Sequence, residues 1–115
     1  MAFLHLYNGP DGKSQIEPLR IDEHPRLKEL QAAQSISFRN MAPGTFMDWH
    51  PAPRRQFVIL LAGEMELGLE DGSKHRMAAG DVLLAEDVKG KGHTLLVTGN
   101  QPRVSATVPL QDQQF

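Results

Sequence analysis

The sequence predicts an all-β fold, a sandwich or barrel of short strands within one domain. Ten glycines and eight prolines divide the 115 residues into short apolar segments, a spacing typical of many strands joined by tight turns. One segment alternates apolar and polar residues with the period of a half-buried strand, and none carries the pattern of a long helix. Strands connected in this way must pack sheet on sheet or close on themselves.

The first third of the chain predicts two strands and a short turn or helix. Residues 3–7 have strand character, and residues 8–12 form a turn rich in glycine and proline. Residues 14–21 alternate weakly, and Pro18 suits an edge strand because proline donates no hydrogen bond to a neighbouring strand. Residues 26–34 carry two leucines at helical spacing, which allows a short helix or turn.

The second half of the chain gives the clearest strand pattern. Residues 57–62 are an unbroken apolar run and predict a buried strand. In residues 64–70, Met65, Leu67 and Leu69 lie on one face and glutamates on the other, which predicts a strand with one face in the core. Further strands are predicted at residues 35–41, 82–85, 94–98 and 103–110.

The turn after the alternating strand contains Asp71-Gly72, a strong hairpin signal. A two-residue loop would set basic side chains opposite the buried leucines, because a shift of one residue turns a whole strand over. A three-residue loop, 71–73, instead pairs Leu69 with His75. We therefore expect the longer loop, with Gly72 or Ser73 at a positive φ.

Composition excludes several classes of function. The formal net charge is −2, and no block of lysine and arginine forms the stripe that a nucleic-acid backbone requires. The longest apolar run, residues 57–62, is far too short to span a bilayer. The chain has no cysteine, which excludes disulfides and thiolate metal ligands. We predict a cytoplasmic protein that binds neither nucleic acid nor membrane.

Two stretches resemble the motifs of the cupin superfamily, the RmlC-like jelly roll. Gly44, His50 and Gly63 stand at positions of the first motif, and Gly80 and His93 stand at the two ends of the second. In both motifs a glycine is followed by an acidic residue, as the family pattern requires. The resemblance implies an all-β double-stranded β-helix, or jelly-roll barrel.

The resemblance also implies the organisation of the chain. Residues 35–110 would form the conserved barrel core of a single cupin domain, 1–115. Residues 1–34 would add N-terminal strands and the short helix or turn. The family further implies a homodimer, in which an N-terminal strand, here residues 3–7, packs on the neighbouring subunit.

Two metal-ligand positions of the cupin pattern are changed in this sequence. Cupins that bind Fe, Mn, Ni, Zn or Cu use three histidines and one glutamate. Here Ala52 replaces one histidine and Gln56 replaces the glutamate, whereas His50 and His93 remain. Asp48 shares the strand parity of His50 and would add a carboxylate. The candidate ligands for a divalent Zn, Fe, Mn or Ni ion are therefore His50, His93, Gln56 and Asp48, and the alternative is a pocket without metal.

Other polar residues near the motifs are candidates for binding and catalysis. Of the neighbours Arg54 and Arg55 only one can face into a barrel, and we expect Arg55 to bind a ligand anion. The alternative for this arginine is a structural salt bridge to Glu86 or Asp87. Those two acids are also candidate general acids or bases if burial shifts their pKa values. Lys91, in a glycine-rich loop, is a further candidate ligand contact.

Two functions follow from the predicted site, and the sequence does not choose between them. In the first, His50 and His93 hold a divalent metal, and the protein is an enzyme that acts on a small metabolite. In the second, the protein is a metal-free binding or regulatory module, and the histidines hydrogen-bond a small ligand without turnover. Fold alone does not identify the ligand, because one fold serves many chemistries.

Overall fold

The computed structural model describes residues 1–113, in which the chain forms ten β-strands and one single-turn 3-10 helix, Pro25–Lys28. The all-β prediction is therefore confirmed. The last two residues of the predicted domain, 114 and 115, lie outside the described part. The strands are β1 Phe3–Asn8, β2 Ser14–Pro18, β3 Ser37–Met41, β4 Phe46–His50, β5 Gln56–Ala62, β6 Glu64–Gly68, β7 Lys74–Ala78, β8 Val82–Ala85, β9 His93–Thr98 and β10 Arg103–Pro109.

The strands form two sheets that enclose the apolar core. The larger sheet has the order β2-β1-β8-β5-β10-β3, and the smaller has the order β4-β9-β6-β7. Every pairing is antiparallel except that of β1 with β8. This is the two-sheet jelly-roll arrangement. The largest fully buried apolar side chains are Leu6, Leu60, Met65, Leu67, Met77, Val97 and Leu110.

The N-terminal strands belong to the chain's own larger sheet. β1 lies between β2 and β8, so both of its edges are paired within the same chain. β2 is an edge strand, as Pro18 predicted. The predicted helix or turn over residues 26–34 is reduced to the single turn at Pro25–Lys28, because that segment has no buried residue to anchor a longer helix.

The hairpin between β6 and β7 confirms the parity of the predicted loop but not its register. Leu67, rather than Leu69, lies opposite His75. The predicted Leu69 pairing is wrong by two residues, because the turn closes one residue earlier: Leu69 N–H donates to the Ser73 carbonyl at 3.1 Å. A shift of two residues keeps each side chain on its face, and Leu69 is still buried. Gly72 has a φ of +87°, as expected for this loop.

The apolar run in β5 is only partly buried. Leu60 is 1% exposed, whereas its neighbour Leu61 is 51% exposed. Consecutive side chains on a strand point to opposite faces, so β5 covers the core with one face and meets solvent with the other. Among residues 1–113, no helix is long and apolar enough to cross a bilayer.

Candidate functional site

A cavity of about 360 Å³ opens between the two sheets, a volume in the range of small-molecule pockets. The larger sheet lines it through β3, β5, β8 and β10, and the smaller sheet through β4, β6 and β9. More than half of the lining residues are apolar. The polar ones are Ser37, Arg39, His50, Arg54, Gln56, His93, Arg103 and Thr107.

Two histidines that are far apart in the chain meet at this cavity. His50 ends β4 and His93 begins β9, and the antiparallel ladder sets them directly opposite each other. Their ring centroids lie 4.6 Å apart, and the ring planes make an angle of 54°. The strand register thus brings together the two imidazoles that the sequence singled out.

The close approach of these strands requires the glycine that precedes His93. Gly92 has a φ of +83°, and a Cβ atom built on it would lie 2.0 Å from the His50 carbonyl oxygen. The same atom would lie 2.4 Å from the backbone nitrogen of Pro51. Since both neighbours are backbone atoms that cannot rotate away, only glycine lets the start of β9 pass so close to the end of β4.

Hydrogen bonds orient both rings in the same sense. His50 Nδ1 lies 2.8 Å from the Asp48 carbonyl oxygen, and His93 Nδ1 lies 2.7 Å from Asp87 Oδ2. Both partners are acceptors, so each ring donates its Nδ1–H. Within the described residues no hydrogen bond engages either Nε2 atom. The two Nε2 atoms are therefore the ones left for a ligand.

Asp87 lies behind His93 and not in the cavity wall. Its side chain is fully buried, and Oδ2 accepts hydrogen bonds from His93 Nδ1 and from the Ser14 hydroxyl at 2.7 Å. Asp87 Oδ1 has no partner within residues 1–113. Such a carboxylate fixes the orientation and the tautomer of the imidazole. The structure thus gives Asp87 a positioning role toward His93, not direct contact with a ligand.

Of the other two predicted metal ligands, one lines the cavity and the other does not. Gln56 lines the cavity, at the start of β5. Asp48 does not: it is exposed, and its Oδ1 accepts a hydrogen bond from the Trp49 N–H at 2.8 Å. The parity argument for Asp48 is wrong because β4 has an irregular register between Met47 and His50, so that these two residues both face the cavity.

Arg55 and Glu86 lie outside the cavity and bond to each other. Arg55 is 3% exposed, and its Nε donates to Glu86 while Nη1 donates to the Asp112 carbonyl at 3.1 Å. The structure therefore places Arg55 in the structural salt bridge that was the alternative to ligand binding. Its neighbour Arg54, in the bend that precedes β5, lines the cavity instead.

Lys91 also lies away from the cavity wall. Its Nζ is 4.4 Å from the centroid of the Trp49 ring, a cation–π contact. The side chain is exposed, and it is not among the described residues that line the cavity. The predicted ligand contact is therefore not formed in this structure.

The salt bridge of Glu86 extends to the N-terminal strand. His5 Nε2 bonds Glu86, and His5 Nδ1 bonds Glu17 at 2.9 Å. Burial lowers the pKa of His5, but the hydrogen bonds to Glu86 and Glu17 outweigh burial and raise it above 6.5. Burial raises the pKa of Glu86, but hydrogen bonds from His5 and Arg55 outweigh that and hold it below 4.5.

These opposite shifts predict a pH window for the network. The His5 contribution is complete below pH 6.5 and is lost as pH rises through the raised folded-state pKa. The Glu86 contribution is complete above pH 4.5 and is lost as pH falls through the lowered one. We expect His5→Gln to destabilise the protein more at about pH 5.5 than at about pH 8.5, as measured by urea unfolding. His24→Gln, outside the network, is the control, and an equal loss at both pH values would contradict the prediction.

The sequence profile of the cupin domain matches residues 37–108, well over half of the chain. This protein belongs to the cupin domain family. The match begins at β3 and ends within β10, so it contains both histidines and every strand of the smaller sheet. No curated protein gives a significant match to the chain.

Several solved structures share the fold at low sequence identity. An uncharacterized Klebsiella pneumoniae protein with a double-stranded β-helix domain is 20% identical, with a TM-score of 0.52 over 84% of this chain and 91% of that one. The polyketide cyclase RemF from Streptomyces resistomycificus is 13% identical, with a TM-score of 0.57 over 95% and 72%. A predicted oxalate decarboxylase from Thermotoga maritima is 18% identical, with a TM-score of 0.50 over 95% and 93%. At these identities the likeness concerns the fold alone.

The cavity of this cupin does not fit the four-ligand metal centre of the family pattern. Ala52 and Gln56 remove one imidazole and the carboxylate. Within residues 1–113, no group of three or more histidine, cysteine, aspartate or glutamate side chains is placed to hold a metal ion. The described cavity lining carries three arginines and no carboxylate, a charge balance that opposes a dication.

Two of these arginines, Arg39 and Arg103, were not among the site residues predicted from the sequence. Arg103 is 4% exposed although it begins β10. One signal was available: Arg103 shares strand parity with Ser105 and Thr107, a polar row beside the apolar row of the same strand. A charged residue in such a row, on a strand buried on both faces, points to a site in the interior.

Proposed function

We propose that this cupin binds a small organic molecule in the barrel cavity, with His50 and His93 contacting it directly through Nε2. The observation that carries the proposal is the pairing of the two rings, with both Nδ1 atoms already bonded and both Nε2 atoms left over. Few fixed polar groups in a mostly apolar cavity are the usual makeup of a small-molecule site. The same makeup orients a ligand without a resident metal.

A metal-dependent enzyme is the second candidate, and one observation favours it. Histidines that bind metals usually donate their other N–H to a carboxylate or a backbone carbonyl, as His93 and His50 do. The ion would be Zn, Fe, Mn or Ni, with Gln56 as a weak oxygen ligand, and it would supply a Lewis acid. The positive charge of the cavity lining would repel a dication, so we favour binding without metal.

Metal analysis and ligand binding separate the two candidates. We expect untagged wild-type protein, dialysed against Zn, Mn, Ni or ferrous iron, to retain no stoichiometric metal. A thermal-shift screen of small organic compounds should yield ligands that stabilise the wild type, by about 2.7 kcal/mol at a hundred times Kd. The His50→Ala, His93→Ala double variant should lose that stabilisation, whereas His24→Ala, outside the cavity, should keep it.

Two outcomes decide against the proposal. Near-stoichiometric metal that disappears in the double variant would support the second candidate. Ligands that stabilise the wild type and the double variant equally would show that the histidines do not contact them. Elemental analysis gives the first result and calorimetric titration gives the second.

Assembly and location stay predictions. A homodimer, with residues 3–7 packed on the neighbouring subunit, follows from the family resemblance. The cytoplasmic location likewise depends on the composition alone.

A further inference from the structure

Arg103 is a buried cation without a matching anion. The residue is 4% exposed, and it forms no salt bridge within residues 1–113. Nη2 donates to the Ser105 hydroxyl at 3.0 Å, and Nη1 faces the Met65 sulfur, a poor acceptor, at 3.5 Å. Nε has no partner within the described part of the chain. Buried charges are normally paired with an opposite charge, and the described residues supply none for this guanidinium.

A second arginine makes the local charge more positive. Arg39 lies on β3 opposite Ser105, one strand away from Arg103. Burial lowers the pKa of Arg103, and the charge of Arg39 lowers it further. Arg54 also lines the cavity, whereas no aspartate or glutamate of residues 1–113 does. A concave, mostly apolar site with unopposed positive charge concentrates anions.

The remaining lining sets the character of the anion. Met41, Val58, Leu83 and other apolar residues cover much of the wall, so the ligand needs an apolar body as well as a charge. The planar fork of a guanidinium matches the two oxygens of a carboxylate. A cavity of about 360 Å³ limits the ligand to a small molecule.

We propose that the cavity binds a small organic carboxylate, whose carboxylate accepts hydrogen bonds from Arg103 while Arg39 adds to the positive field. The inference rests on the proposed function, because it names the class of ligand that reaches His50 and His93. The carboxylate would supply the negative charge that the described residues around Arg103 lack.

Matched pairs of acid and amide test the proposal. Benzoate with benzamide, and hexanoate with hexanamide, differ in charge but hardly in shape, and sodium chloride at equal ionic strength controls for salt. We expect the acids, but not the amides, to stabilise the wild type in calorimetric titration and thermal shift. Arg103→Met should weaken binding of the acids by about tenfold to a hundredfold, since it removes a hydrogen bond to a charged group. Arg103→Lys should fall between, and Arg76→Gln, on the exposed pair with Glu64, should not change it.

The unliganded variant provides a separate measurement. Because the wild type buries a guanidinium without a counter-ion, Arg103→Met should be at least as stable as the wild type in urea. An unfolded Arg103→Met variant would assign the residue a structural role and overturn the proposal. So would equal binding of acids by wild type and variant, or equal stabilisation by inorganic phosphate.

Failure of this inference and failure of the proposed function give different results. If amides bind the wild type and Arg103→Met alike, and His50→Ala, His93→Ala abolishes their binding, the cavity is a small-molecule site but not a carboxylate site. If no compound binds in a manner that depends on the histidines, both proposals fall.

Discussion

Replacing Gly92 by alanine should cost roughly 2–5 kcal/mol of the free energy of unfolding, the sum of an unfavourable φ and a steric clash. The added Cβ would lie 2.0 Å from the carbonyl oxygen of His50 and 2.2 Å from its carbonyl carbon. These atoms belong to the strand that carries the first histidine, so relief of the clash must move β4 away from β9. We therefore expect both the stability and the pairing of His50 with His93 to suffer. Urea unfolding measures the first effect.

Gly72 offers a matched control for this variant. Its φ of +87° is as unfavourable for alanine as that of Gly92, but a Cβ there would meet nothing within 4 Å. Gly72→Ala thus reports the cost of the backbone conformation alone, about 1–2 kcal/mol. Similar losses for the two variants would show that the clash at Gly92 is relieved at no cost, and the close approach of the strands would then not depend on glycine.

Removal of the Asp87 carboxylate should have a comparable effect, about 2–5 kcal/mol for Asp87→Ala. The variant leaves the Nδ1–H of His93 and the hydroxyl of Ser14 without their acceptor in a place that water does not reach. It also frees the imidazole to carry its proton on Nε2, the atom assigned to the ligand. Nitrogen chemical shifts of His93 in the unliganded protein would show this change of tautomer.

Ser14→Ala separates the two hydrogen bonds of Asp87. The variant removes the hydroxyl donor on β2 but keeps the hydrogen bond between Asp87 and His93. It should therefore lower the free energy of unfolding by only about 1 kcal/mol and leave the tautomer of His93 unchanged. If Asp87→Ala loses no more than Ser14→Ala, the carboxylate does not hold the ring. If both variants keep the wild-type nitrogen shifts, another group sets the tautomer of His93.

The strands and turns could be predicted because their signals are local. The alternation of Met65, Leu67 and Leu69 places one face in the core whatever the partner strand is, and a shift of two residues in the hairpin left that face unchanged. His50 and His93 were found through the spacing of the motif glycines, but Gly92, which their close approach requires, was not one of those positions.

The errors in the site arise where strand parity is interrupted or where partners are distant. The irregular register of β4 turns Asp48 outward, and the sequence of residues 46–50 gives no sign of this irregularity. The pairing of β1 with β8 sets His5 beside Glu86, although the two residues are 81 positions apart in the chain. The Glu86 carboxylate therefore bonds both His5 and Arg55. Arg103 can be recognised as a candidate site residue only once the structure shows that no carboxylate lies beside it.

The hydroxyl of Ser14 connects the edge hairpin of the larger sheet to the cavity. β2 reaches the buried Asp87, and through it the ring of His93, although no residue of β2 lines the cavity. A ligand that requires the Nδ1-protonated ring of His93 thereby stabilises the hairpin of β1 and β2 in its place in the sheet. By thermodynamic reciprocity, the hairpin in that place raises the affinity for the ligand. Fraying of the first two strands and occupancy of the interior are thus coupled equilibria, so the amino-terminal hairpin is energetically part of the binding site.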